Sequence, residues 1–143
     1  MKFGIIFANT GPFVEPGPAA EMARAAEQAG FESLWTVEHA VVPAGYASTY
    51  PYDPSGRMPG SDDSPVPDPL IWLAYLAAAT TTLRLATGIL ILPQRNPVVL
   101  AKEVATLDRL SGGRFDLGVG IGWLREEFDA IGVSFDEIGR AHV

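Results

Sequence analysis

Ten basic residues against 17 acidic ones give this chain of 143 residues a net charge of −7, and its Lys and Arg residues are scattered, so nucleic acid, which needs a basic patch, is not an expected partner. The lack of cysteine excludes a disulfide framework, a zinc–thiolate site and a thiol nucleophile. A content 48% hydrophobic, with no apolar run of membrane-spanning length and no signal-peptide cleavage region in MKFGIIFANTG, describes one soluble globular unit expected in the cytoplasm.

Lys2 to Ala8 is a short apolar run ended by the turn residues Asn9 to Pro12, which predicts a buried strand. The helix after it starts at Pro18, carries Met22, Ala23, Ala26 and Ala29 at helical spacing, and closes at Gly30. FESLWTVEH, residues 31–39, predicts a second strand ending at Glu38 and His39. Residues 40–67 then hold six prolines and three of the four tyrosines, a density that forbids helix or central strand. This long loop is either a Tyr-rich substrate lid or a solvated spacer.

Asp68 is a helix N-cap with Pro69 at the first helical position, ahead of LIWLAYLAAATT. LRLATGILIL, residues 83–92, predicts a third strand. Asn96 and Pro97 repeat the cap and proline before a helix with Leu100, Val104 and Leu107 on one face, ended by Gly112 and Gly113. RFDLGVGIG, residues 114–122, predicts the fourth strand, and Leu124 and Phe128 open a fourth helix.

Four apolar strands alternating with four helices predict an α/β fold with a parallel sheet covered by helices. A doubly wound sheet and a (β/α)8 barrel both satisfy this pattern, and the short, regular connections favour the barrel. A full TIM barrel needs about 250 residues, so residues 1–136 are expected to be its N-terminal half, about four βα units. The last seven residues, EIGRAHV, break the amphipathic pattern and match a translation of sequencing adapter, GAG ATC GGA AGA GCA CAC GTC. Residues 137–143 are therefore expected to be a non-native tail, and His142 is set aside.

Gly118, Gly120 and Gly122 do not form a dinucleotide fingerprint, because Trp123 and Arg125 fall where its third glycine would stand. Glycines within a strand instead mark close approach or a bend. His39, beside Glu38 at the end of the second strand, is the candidate acid/base group on the catalytic face of a barrel, or a histidine that caps the strand end by hydrogen bonding. Neighbours on a strand face opposite sides, so both can face inward only if the strand has ended before them. No second His or carboxylate stands at metal-ligand spacing, and no metal is expected.

KFGIIF, WTVEHA and the stretch from Leu83 to Phe128 resemble the luciferase-like monooxygenase superfamily, and within it the oxidoreductases that use the deazaflavin coenzyme F420. The resemblance implies a bacterial-luciferase-like TIM barrel acting on a small-molecule substrate and forming a homo-oligomer when full length. It also implies that Gly120 and Gly122 let a flat ring approach, and that Gly88 and Ile89 back the ring through a bulge with a non-prolyl cis peptide. Relatives acting on alcohols have a histidine where His39 stands and a glutamate where this chain has Trp123, which favours an apolar substrate. Cofactor phosphate is held largely by second-half loops in this family, so the 143 residues alone are expected to be inactive. An FMN-dependent monooxygenase is the alternative of the same fold, and a cofactor-free binding or relic barrel the alternative outside enzymes.

Overall fold

The computed structural model describes residues 1–136, and the expected tail at 137–143 lies outside the described residues. Strands β1 (Gly4–Ile5), β2 (Ser33–Thr36) and β3 (Arg84–Thr87) alternate with helices α1 (Pro16–Gln28) and α2 (Pro69–Ala79). After β3 come β4 (Leu90–Ile91), α3 (Pro97–Ser111), β5 (Phe115–Asp116), β6 (Val119–Gly120) and α4 (Arg125–Ile131). Every pairing is parallel, in the order β1-β2-β3-β5 with a second short ladder β4-β6. A doubly wound sheet reverses its strand order at a switch point. Here the order is consecutive, and α2 packs between α1 and α3, so the architecture is that of successive units of a (β/α)8 barrel.

The helix starts follow from the sequence. Asp68 Oδ1 accepts the N–H groups of Leu70 and Ile71, and Asn96 Oδ1 those of Val98 and Val99, so both caps satisfy donors the helix itself leaves free. Gly112 ends α3 in the left-handed region at φ 70°. Helix α1 begins at Pro16 rather than Pro18, since a proline in the first turn removes only an N–H with no intrahelical partner.

One face of the sheet meets the helices. Leu34, Leu85 and Phe115 pack against Ala19, Ala23 and Ala26 of α1, Leu73 and Leu76 of α2, and Leu100 and Leu107 of α3. Burying each Leu contributes about 1.5–3 kcal/mol, and the alanine face of α1 lets that helix lie close to the sheet. On the opposite face Trp35 donates its indole N–H to Ser33 Oγ. A Cβ at Gly4 or Gly88 would come within 2.9 and 3.1 Å of the Trp35 side chain, so these glycines make room for it.

Two expectations about strands are corrected. The first strand is two residues long, and Phe3, Ile6 and Phe7 are exposed rather than buried. Among the described residues β1 has β2 as its sole strand neighbour, and Phe7, at φ 58°, turns the chain out of the ladder. Pairing continues past the turn through Asn9, whose side-chain amide accepts from Val37 N and donates to Val37 O, both at 2.8 Å. The third and fourth strands are each broken in two. The Gly88–Ile89 peptide bond is cis, as the resemblance implied, and separates β3 from β4, while Leu117 and Gly118 separate β5 from β6.

Candidate active site

A cleft of about 750 Å³ opens at the carboxyl ends of the strands. Val37, Glu38 and His39 reach it from the end of β2, Gly88, Ile89 and Ile91 from around β4, and Gly122 and Trp123 from the end of β6. The 40–67 loop contributes Tyr50, Tyr52 and Met58. Of the six residues singled out in the sequence, five line this cleft. Gly120 stands behind Ile89, whose Cδ1 atom would lie 2.7 Å from a Cβ there.

Strand β2 ends at Thr36, so Glu38 and His39 are free of strand alternation, yet they do not pair. Glu38 is 6% exposed and accepts the Ile91 N–H on one oxygen and the Arg95 guanidinium on the other. Arg95 also donates to Asp68 Oδ2 at 2.8 Å, linking the cleft wall to the start of α2. With both oxygens taken, the expected Glu38–His39 acid/base pair is corrected: Glu38 braces β4. The partner of His39 is Glu127 of α4, whose Oε2 lies 3.0 Å from His39 Nδ1 and whose side chain is 0% exposed. Glu127 Oε1 accepts the N–H of Ala40 at 2.5 Å. The sequence reading missed Glu127, although its spacing from Leu124 and Phe128 places it on the buried face of the helix.

The loop is docked rather than a solvated spacer. Glu126 Oε1 accepts the N–H groups of Ala47 and Ser48, and its Oε2 accepts the Ser48 hydroxyl at 2.7 Å. The Ser48 hydroxyl, with the backbone donors around it, holds the Glu126 carboxyl at about 2. Ser48 Oγ in turn accepts the Arg125 N–H at 3.2 Å, so the loop caps the first turn of α4. Buried Tyr46 accepts the Met58 N–H on its hydroxyl, and Trp123 meets Tyr46, Tyr50 and His39 edge-on at 5.5, 5.1 and 5.8 Å. Burial pushes the Tyr50 phenol up.

The glycines have separate causes. Gly122 lies at φ 81°, and a Cβ on it would meet Phe128 at 2.8 Å, so backbone conformation and core packing account for it, while its main chain still lines the cleft. Gly88, Ile89 and Gly122 line the cleft beside the aromatic side chains of Phe7, Tyr50 and Trp123. No Lys or Arg lines the cleft among the described residues, so they offer no cation for an anionic tail. Among the described residues no three His, Cys, Asp or Glu side chains gather as a metal site, and no helix is long and apolar enough to cross a membrane.

Consecutive parallel βα units with a cleft at the carboxyl ends of the strands define the class of (β/α)8-type barrels, whose strand-end loops form the functional face. The chain belongs to the luciferase-like monooxygenase family, whose profile matches residues 1–141. It is 33% identical over 133 residues to an uncharacterized protein of Mycobacterium tuberculosis, covering 93% of this chain and 46% of that protein. It is 35% identical over 123 residues to the F420-dependent glucose-6-phosphate dehydrogenase of Kineococcus radiotolerans, covering 85% of this chain and 32% of that enzyme. Among solved structures, the monooxygenase RslO1 from Streptomyces bottropensis superposes with a TM-score of 0.67 at 35% identity, covering 96% of this chain and 38% of that one. The chain thus spans less than half the length of these relatives.

Proposed function

We propose that this chain forms part of the active site of an oxidoreductase that uses coenzyme F420 on a small, largely apolar substrate. The observation that carries the reading is His39, held by buried Glu127 at the rim of the cleft that Gly88 and Ile89 line. When bound there, the deazaflavin supplies hydride transfer. Gly88, Ile89 and Gly122 would hold the flat side of the ring, with Gly120 leaving space for Ile89. His39 holds or delivers the proton that accompanies the hydride at the substrate. Trp123 and Tyr50 exclude water, and the docked loop acts as a lid on the substrate side. The 35% identity to an F420-dependent dehydrogenase supports the choice of cofactor.

A second reading, an FMN-dependent monooxygenase, is favoured by Trp123, which stands where alcohol-oxidising relatives have a glutamate, and by the equal identity to a monooxygenase. Titrating the full-length protein with F420 and with FMN, and following absorbance together with oxygen uptake, separates the two. Preferential F420 binding without oxygen consumption is expected. Selective FMN binding with oxygen consumption would overturn the F420 reading in favour of the second.

A further inference from the structure

We propose that Glu127 sets the tautomer of His39, placing the proton on Nδ1 and leaving Nε2 bare. The inference rests on the acid/base assignment above only for its catalytic consequence; the tautomer follows from the contact geometry with Glu127 acting as a carboxylate acceptor. With Glu127 as a carboxylate, which only accepts hydrogen bonds, the 3.0 Å contact between its Oε2 and His39 Nδ1 places a hydrogen on Nδ1. In a neutral imidazole the other nitrogen is then an acceptor. Among the described residues no group bonds Nε2, and His39 lines the cleft.

What makes the arrangement directional is the other carboxylate oxygen. Glu127 Oε1 accepts the N–H of Ala40 at 2.5 Å and lies 3.4 Å from the Val41 N–H. Backbone N–H groups only donate, so the atom at this position must be an acceptor. The same segment that carries His39 therefore fixes the rotation of the carboxylate that orients it. Glu126, next in the chain, bonds residues 47 and 48 and does not touch His39. Glu127 is thus a positioning residue, while its neighbour holds the loop.

Glu127→Gln turns this logic into a test. The amide oxygen must stay on the Ala40 and Val41 N–H groups, which leaves the amide NH2 facing Nδ1 as a donor. Nδ1 then has to accept, and the proton moves to Nε2. The measurement is the ¹⁵N spectrum of labelled histidine in the protein, with the His39 signals identified by their loss in His39→Gln. Wild type is expected to show a protonated Nδ1 and an imine-type Nε2, Glu127→Gln the reverse, and Glu126→Gln the wild-type pattern. A wild-type spectrum with the proton on Nε2, or an even mixture, overturns the proposal, and this holds even if the Gln variant does not fold. An unchanged tautomer in folded Glu127→Gln overturns it as well. Turnover of the full-length protein carrying Glu127→Gln should fall about 10²-fold. A switched tautomer with full turnover supports the tautomer inference and removes His39 from the acid/base role, so failure of the two readings is distinguishable.

Discussion

Gly118 lies against Thr87 so closely that a Cβ on it would sit 2.1 Å from the Thr87 carbonyl oxygen. The Thr87 hydroxyl donates to Gly118 O at 2.7 Å and accepts Gly118 N–H at 3.0 Å, locking the two strands where each is interrupted. Because the obstacle is backbone, Gly118→Ala cannot be relieved by a rotamer change. A loss of about 1–3 kcal/mol is expected in denaturant unfolding. A wild-type midpoint would show that the two strands are not in this contact.

Gly120 and Gly122 should respond differently from each other. At Gly120 a Cβ presses on the far end of Ile89, which can move, so Gly120→Ala is expected to cost little stability but to displace Ile89 and weaken F420 or FMN binding. At Gly122 the φ of 81° and the Phe128 ring leave a side chain no comfortable place. Gly122→Val should lower stability by at least about 1 kcal/mol, whatever it does to binding. Thermal melts and cofactor titration on both variants check this, and the expectation fails if the two melt alike.

Glu38 and His39, adjacent in sequence, should separate in their phenotypes. Glu38→Ala leaves Arg95 without its buried partner and Ile91 N–H without an acceptor, and is expected to destabilise by about 3 kcal/mol or more. In the full-length protein, His39→Ala is expected to lower turnover by about 10²-fold or more with a smaller effect on cofactor affinity. A stable Glu38→Ala variant whose defect lies only in turnover would return Glu38 to an acid/base role.

The loop clasp should open in acid. The folded-state value of Glu126 is about 2, below its ordinary 4.5, so the clasp contributes fully above about 4.5 and is lost as the pH falls from there through about 2. Protection of the Ala47 and Ser48 amides, measured against their intrinsic exchange rates at each pH, should fall across that window in wild type. Glu126→Gln should show fast exchange at pH 7 already, with no further loss of protection specific to that window. Equal protection in the two proteins at pH 7 would remove Glu126 as the anchor.

Local signals determined much of this protein. The apolar runs, the Asp68–Pro69 and Asn96–Pro97 pairs and the glycine stops act within a few residues, so the alternation of strands and helices, and a barrel-like fold, were legible from one dimension. His39 was legible too, because a histidine at the end of a predicted strand falls on a definite face. The partnership of His39 was not. Glu127 lies 88 residues further on, and its contact depends on the rotation of α4 and the path of the 40–67 loop, neither of which periodicity encodes. Likewise the sequence shows that Gly118, Gly120 and Gly122 need space but not from what. The tertiary structure decided that, because the obstacles are the Thr87 backbone, Ile89 and Phe128, atoms brought there by strand pairing and helix packing.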